Sequence, residues 1–290
     1  EYMFSGCISL YSIDLSNFNT SNVKSMEGMF EDCSSLTSLD ITNFDTSKVK
    51  SMEGMFNGCS SLSSLDITHF NTSQVENMAK MLYGLESIKE IDISNLDISE
   101  VLFMDYFLGR CNSLTSLRIN LQAPKVMSFK GFFSDCSSLI SLEISKLDAL
   151  FVTDMSYMFY GLKSCKSLDL SNFNTPNVEK MNYMFAESSS IISINFTGFD
   201  TSYAYNMEYM FYGCLSLESL DLTYFNFDQV DINDIFHGCH SLTSIKFSNN
   251  YLLPSKVENT FKGCSSLKSI DLSNFDFGII EDMHSLFYGC

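Results

Sequence analysis

The stretch SMEGMFEDCSSLTSLDITNFDTSKVKSMEGMFNGCSSLSSLDITHFNTS, Ser25 to Ser73, states one pattern twice, 26 residues apart. The cysteine of its GCSSL segment serves as a ruler for the rest of the chain. It recurs at Cys7, Cys33, Cys59, Cys111, Cys136, Cys214, Cys239, Cys264 and Cys290, with Leu85, Leu162 and Ser188 holding the intervening marks. Each interval is 25 or 26 residues, with no interruption that marks a linker or a domain boundary. Self-similarity at such a period is the signature of stacked repeats.

Other columns keep step with the ruler. Phenylalanine stands at Phe4, Phe30, Phe56, Phe107, Phe133, Phe159, Phe185, Phe211, Phe236, Phe261 and Phe287, with Leu82 filling the gap. Methionines precede it at Met29, Met55, Met81, Met158, Met184 and Met210, and again at Met26, Met52, Met78 and Met104. Valines stand earlier, at Val23, Val49, Val75 and Val101. A set at i, i+3, i+6 and i+7 matches one face of a short helix. The Thr-Ser pair before it supplies capping residues, and the Gly before the cysteine suits a left-handed helix end. After the cysteine, Leu36 to Ile41 alternates with period two, as a half-buried strand does.

Each unit therefore reads as strand, turn, short helix, turn. One unit cannot bury its own apolar side, but stacked neighbours can. The expected fold is α/β: a right-handed leucine-rich-repeat solenoid of about eleven repeats, residues 1–290 forming a single domain. It would carry one parallel sheet on the concave side and short helices opposite. At a strand spacing of about 4.8 Å the stack would be roughly 50 Å long.

The consensus C-x-x-L-x-x-L-D-[LI]-[ST]-x-F-[ND]-T-S-x-V-x-x-M-x-x-M-F, seen from Cys33 to Phe56, closely resembles the BspA-like leucine-rich-repeat surface proteins. These include the repeat of unknown function found in Mycoplasma lipoproteins and Gram-positive surface proteins. The resemblance covers essentially the whole chain. It implies an extracellular, cell-surface protein of the adhesion class, binding host matrix proteins or other cells, with no catalytic residues and no cofactor. Two repeats, Leu117 to Phe133 and Ile245 to Phe261, lose the Asp and the Phe-x-Thr-Ser segment and carry Pro124 and Pro254 near the expected helix start.

Composition narrows the function classes. The 290 residues include 26 Phe and 16 Met but no Trp, and the formal net charge is −18. Such charge argues against nucleic acid, which needs clustered Lys and Arg, and against an anionic membrane surface. No stretch reaches the length of a membrane helix. The chain begins and stops within its own pattern, so it reads as a piece of a longer protein, and any membrane attachment would come from an anchor outside these residues.

The strand's outward column is the candidate binding surface. It reads Asp14, Asp40, Asp66, Asp92, Arg118, Glu143, Asp169, Asn195, Asp221, Lys246 and Asp271, flanked by Ser and Thr hydroxyls. Stacked carboxylates repel one another, and water, the flanking hydroxyls, a cation such as Ca²⁺ or a basic partner must offset that. A solvated acidic face is the plain alternative. Arg118 and Lys246 break the run and can pair with neighbours.

The remaining candidates carry less. Ten cysteines at repeat spacing cannot converge as disulfides need, so buried, reduced thiols are expected; Cys165, on a position usually held by Leu, fits that reading. The HGCH segment, His237 to His240, offers too few ligands for zinc. The Thr column (Thr20, Thr46, Thr72, Thr175, Thr201) is better explained by capping than by ice binding. Sequons occur at Asn19, Asn71 and Asn195. No G-x-S-x-G, phosphate loop or H-E-x-x-H is present. The leading expectation is a surface scaffold for a protein ligand; the alternative is a stalk or spacer that presents another domain.

Overall fold

In the computed structural model the described residues are 1–119, 122–144, 150–171, 173–249, 252, 254–280 and 282–290. The chain is a solenoid whose neighbouring turns are joined by parallel backbone bonding. Its spine is an unbroken file of isolated parallel bridges. These link Ser25 to Ser51, Ser51 to Asn77, Asn77 to Phe103, and so on through Asp154 and Asn206 to Lys256.

That spine lies where helices were expected, and the expectation is corrected. Among the described residues the only helix is a 3-10 turn, Phe277–Ile279. An α-helix sends each N–H to the carbonyl four residues back. Here alternate N–H groups leave the repeat. Met26, Gly28, Phe30 and Asp32 donate to the carbonyls of Ser51, Glu53, Met55 and Asn57, at 2.7–2.9 Å. The residues between them close three-residue turns, with Met29, Glu31 and Cys33 donating to Met26, Gly28 and Phe30. Two left-handed residues four apart allow this path, such as Gly54 at φ 59° and Gly58 at φ 72°. The glycine before the cysteine is left-handed as expected, but it turns a solenoid corner and ends no helix. Pro124 likewise sits in a turn.

The single sheet expected on the strand side is also corrected. Among the described residues six short strands form three parallel pairs. β1 (Glu90–Asp92) pairs with β2 (Ser116–Arg118), and β3 (Ser167–Asp169) with β4 (Ser193–Asn195). β5 (Ser219–Leu222) pairs with β6 (Ser244–Phe247). The Leu36–Ile41 segment is extended but has no ladder; Thr37 donates its N–H to the Tyr11 carbonyl and accepts from the Ser63 N–H, both at 3.4 Å. Its alternation survives: Ile41 is buried and Asp40 exposed.

One apolar cluster runs from Leu15 to Leu286. Its axis is a file of stacked rings. Phe30 and Phe56 lie 5.9 Å apart and nearly coplanar in orientation, and Phe159, Phe185, Phe211, Phe236 and Phe261 continue at 5.4–5.6 Å. One assignment moves. Leu108, not Phe107, occupies the file: its N–H donates to Phe132 as that of Leu82 does to Phe107. Phe107 belongs to the preceding methionine column and stacks on Phe132 at 5.4 Å.

Candidate functional site

The outward strand column is a row of turns before it is anything else. Asp40 Oδ1 accepts the Thr42 N–H at 3.1 Å and the Thr42 hydroxyl at 2.7 Å. Asp66 holds Thr68, Asp92 holds Ser94 and Asp221 holds Thr223 in the same way. Asp14, Asp169 and Asp271 accept the N–H two residues on. The flanking hydroxyls named in the sequence are therefore the carboxylates' own partners. They lower the pKa of Asp40, Asp66, Asp92 and Asp221, hydroxyl first and backbone N–H also contributing. One oxygen of each of these four Asp residues closes its turn.

The column is exposed throughout except for Asp92, which is half-buried. Its three departures from acid each contact the Asp one repeat earlier. Arg118 Nη1 lies 3.5 Å from Asp92 Oδ2, and Lys246 Nζ lies 3.2 Å from Asp221 Oδ2. Asn195 Nδ2 donates to Asp169 Oδ1 at 3.0 Å. Glu143 is exposed, on a segment outside the strands.

Among the described residues two depressions on this face each contain one of the column's cations. The larger, about 800 Å³, is lined by Asp66, Asp92 and Arg118 together with Lys89, Glu90 and Ser116. The smaller, about 330 Å³, is lined by Asn195, Asp221 and Lys246 with Thr197, Thr223 and Tyr224. The column thus places six of its residues in these depressions: Asp66, Asp92, Arg118, Asn195, Asp221 and Lys246. Asp14, Asp40, Glu143, Asp169 and Asp271 stay outside both. Lys89, Glu90 and Tyr224 were not singled out in the sequence. Lys89 and Glu90 immediately precede the Ile-Asp segment of β1, and that placement is the signal that finds them.

Comparison with known proteins places the chain. The family described as Mycoplasma protein of unknown function, DUF285, matches residues 1–122, 127–250 and 255–290. The chain belongs to this family. Solved structures similar to this DUF285 chain include a leucine-rich repeat protein from Bacteroides ovatus, 19% identical, TM-score 0.43, covering 99% of this chain and 78% of that one. Another, from Eubacterium ventriosum, is 15% identical with TM-score 0.46, covering 97% and 87%. A leucine rich cell surface protein from Faecalibacterium prausnitzii is 16% identical with TM-score 0.39, covering 91% and 79%. No curated protein matches.

Elsewhere on the DUF285 chain, the Thr column is corrected. Thr46 and its equivalents cap no helix. They are buried and bridge to the next repeat. The cysteine column is buried except at Cys7 and Cys290, and all ten thiols are free. Each buried thiol of the ruler donates to a carbonyl of the preceding repeat, Cys59 to Phe30 and Cys214 to Phe185, at 3.1 Å. Ser188 fills the same place and donates to Phe159 at 2.7 Å. Cys165 is buried and donates to Ser167.

The HGCH segment does not converge. His237 pairs with Asp234 at 2.7 Å, while the Cys239 thiol turns inward to the Phe211 carbonyl. Among the described residues no group of three or more His, Cys, Asp or Glu could hold a metal ion. The sequon residues Asn19, Asn71 and Asn195 accept from the residue two on, Ser21, Ser73 and Thr197.

Proposed function

We propose that the chain, as one repeat domain over residues 1–290, is a protein-binding scaffold displayed on the outside of a cell. Its docking surface is the outward strand column, and adhesion to host matrix or to another cell is the activity that surface supports. The observation that carries the reading is the coincidence of charge and shape. The acidic run is broken by a cation at Arg118 and Lys246, and these two places lie beside the two depressions. A partner segment with charges of both signs fits there. Contacts are distributed, and no residue set for catalysis is invoked.

The test uses Asn in place of Asp, because Asn195 already closes the same turn in the native chain. Asp66→Asn, Asp92→Asn and Arg118→Gln together remove the charges that the column brings to the larger depression and keep the turns. Binding of the labelled chain to immobilised extracellular-matrix proteins and to intact cells should fall at least tenfold, while a cooperative melting transition above the assay temperature shows that the fold is kept. Full retention of binding by that triple variant, and by the corresponding Asp221→Asn, Lys246→Gln pair, removes the column from consideration. Calorimetry with Ca²⁺ separates the other occupant: heat that disappears in the Asn variants would make the face a cation site.

The second reading is a stalk or spacer. The three or four backbone bonds that tie each spine segment to the next favour it, because they make the stack stiff. A spacer is indifferent to the charge variants and loses function when one whole repeat is deleted.

A further inference from the structure

A second face of the solenoid has no role in that reading. Backbone bonds of 2.8–3.2 Å run from Lys24 through Lys50, Glu76, Leu102, Met127, Thr153 and Glu179 to Tyr205, each N–H donating to the residue one repeat earlier. The side chains of this file face solvent, Leu102 being half-buried. Its middle is apolar: Met127 is 41% exposed, and Phe103 beside it is 44% exposed.

Phe103 is a poor choice for folding alone. At its place in other repeats Ser51, Asn77, Ser128, Asp154 and Asn206 each accept the N–H two residues on. Phe103 gives up that acceptor and leaves its ring in water. A residue that weakens its own turn and stays exposed is the kind an interface retains.

The charges identify the occupant. A twofold axis crossing the file between Leu102 and Met127 lays a second copy antiparallel, with each column facing its own reverse. Leu102 then meets Met127, Glu76 meets Thr153, Lys50 meets Glu179, and Lys24 meets the ring of Tyr205, a favourable cation–aromatic contact. In the neighbouring column Glu100 meets Lys125, two groups already 2.6 Å apart within one chain. No like charges face each other along the file. We propose that this face joins two copies of the chain as an antiparallel, twofold dimer. The proposal uses no residue of the acidic column and is independent of the ligand-binding reading.

Sedimentation velocity on the 290-residue chain tests it, with thermal melting to check the fold of each variant. The expected result is a concentration-dependent monomer–dimer equilibrium. Phe103→Asn restores the acceptor that Asn77 supplies elsewhere, so it should keep the fold and abolish the dimer. Lys50→Glu and Glu179→Lys should each weaken association about tenfold or more, and the two together should restore it. The Lys50–Glu76 contact within one chain is lost in both Lys50→Glu proteins, so only the contact between copies accounts for a rescue. A monomer at every concentration up to about 100 µM, a dimer indifferent to Phe103→Asn, or a double reversal no better than the singles overturns the proposal.

Discussion

The Thr46 hydroxyl and the backbone of Asn71 hold each other in both directions. Thr46 Oγ1 donates to the Asn71 carbonyl at 3.0 Å and accepts the Asn71 N–H at 2.8 Å. The same exchange joins Thr20 to Asp45 and Thr175 to Asp200. Thr46 is 2% exposed, so water cannot stand in for it. Thr46→Val keeps the shape and strands two backbone groups. It should destabilise the chain by about 1–3 kcal/mol, and Thr46→Ser by about 1 kcal/mol or less for the lost methyl. Urea titration of the two variants checks the order. Equal losses would place the cost in packing and not in the hydrogen bonds.

Thiol chemistry should divide the cysteines sharply. Burial pushes the thiols of Cys59, Cys111 and Cys264 up to about 12. At pH 8 a maleimide should label Cys7 and Cys290 in the folded chain, and the other eight only in denaturant, as counted by intact mass.

The acidic column predicts a pH dependence with a definite sign. The carboxyls of Asp40, Asp66 and Asp169 lie below the ordinary value of about 3.9 in the folded chain. Their contribution is complete above that value and is lost as pH falls through the depressed folded values. Stability should therefore decline below about pH 4. Replacing these three by Asn keeps the turns without a titrating group, so the variant's melting temperature should fall less steeply with acid. Parallel slopes for the two proteins would exclude these groups as the cause.

Gly131 and Gly54 make a matched pair. Both are left-handed, at φ 61° and 59°. An added Cβ at Gly54 meets nothing nearer than 3.7 Å, whereas at Gly131 it would collide with the ring of Tyr106 from the preceding repeat. Gly54→Ala should cost about 1 kcal/mol for the backbone alone. Gly131→Ala should cost a further 1–3 kcal/mol, roughly, for overpacking. Differential scanning calorimetry on both reads the difference directly, and an equal cost at the two sites would mean the ring moves aside freely.

Much of this architecture was legible because burial in a stacked chain repeats with the stack. The Phe30 file, the inward cysteines and the alternation around Asp40 all follow from the period. The helix was misread for a physical reason. Met26, Met29 and Phe30 fall on one side of a 3.6-residue helix, and they fall equally on the inner side of a chain that turns every three residues. Only the backbone donors distinguish the two, and donors have no letter in the sequence. Gly28 and Gly54, inside a segment too short to tolerate them as helix, were the available sign. Phe107 was misplaced because a change from 26 to 25 residues leaves the columns one step ambiguous. The acidic column was found, but its turn role was hidden because a hydroxyl two residues from a carboxylate also looks like a ligand-binding surface.

The bonds of the spine point from one repeat to the next, so a pull on the two ends of the molecule loads them end-on. Repeats should then detach singly, the outermost first, because each is held by its neighbours alone. Every detached repeat releases 25 or 26 residues of chain, up to about 90 Å of slack. A load carried through such a stack would meet a series of small yields instead of a single rupture.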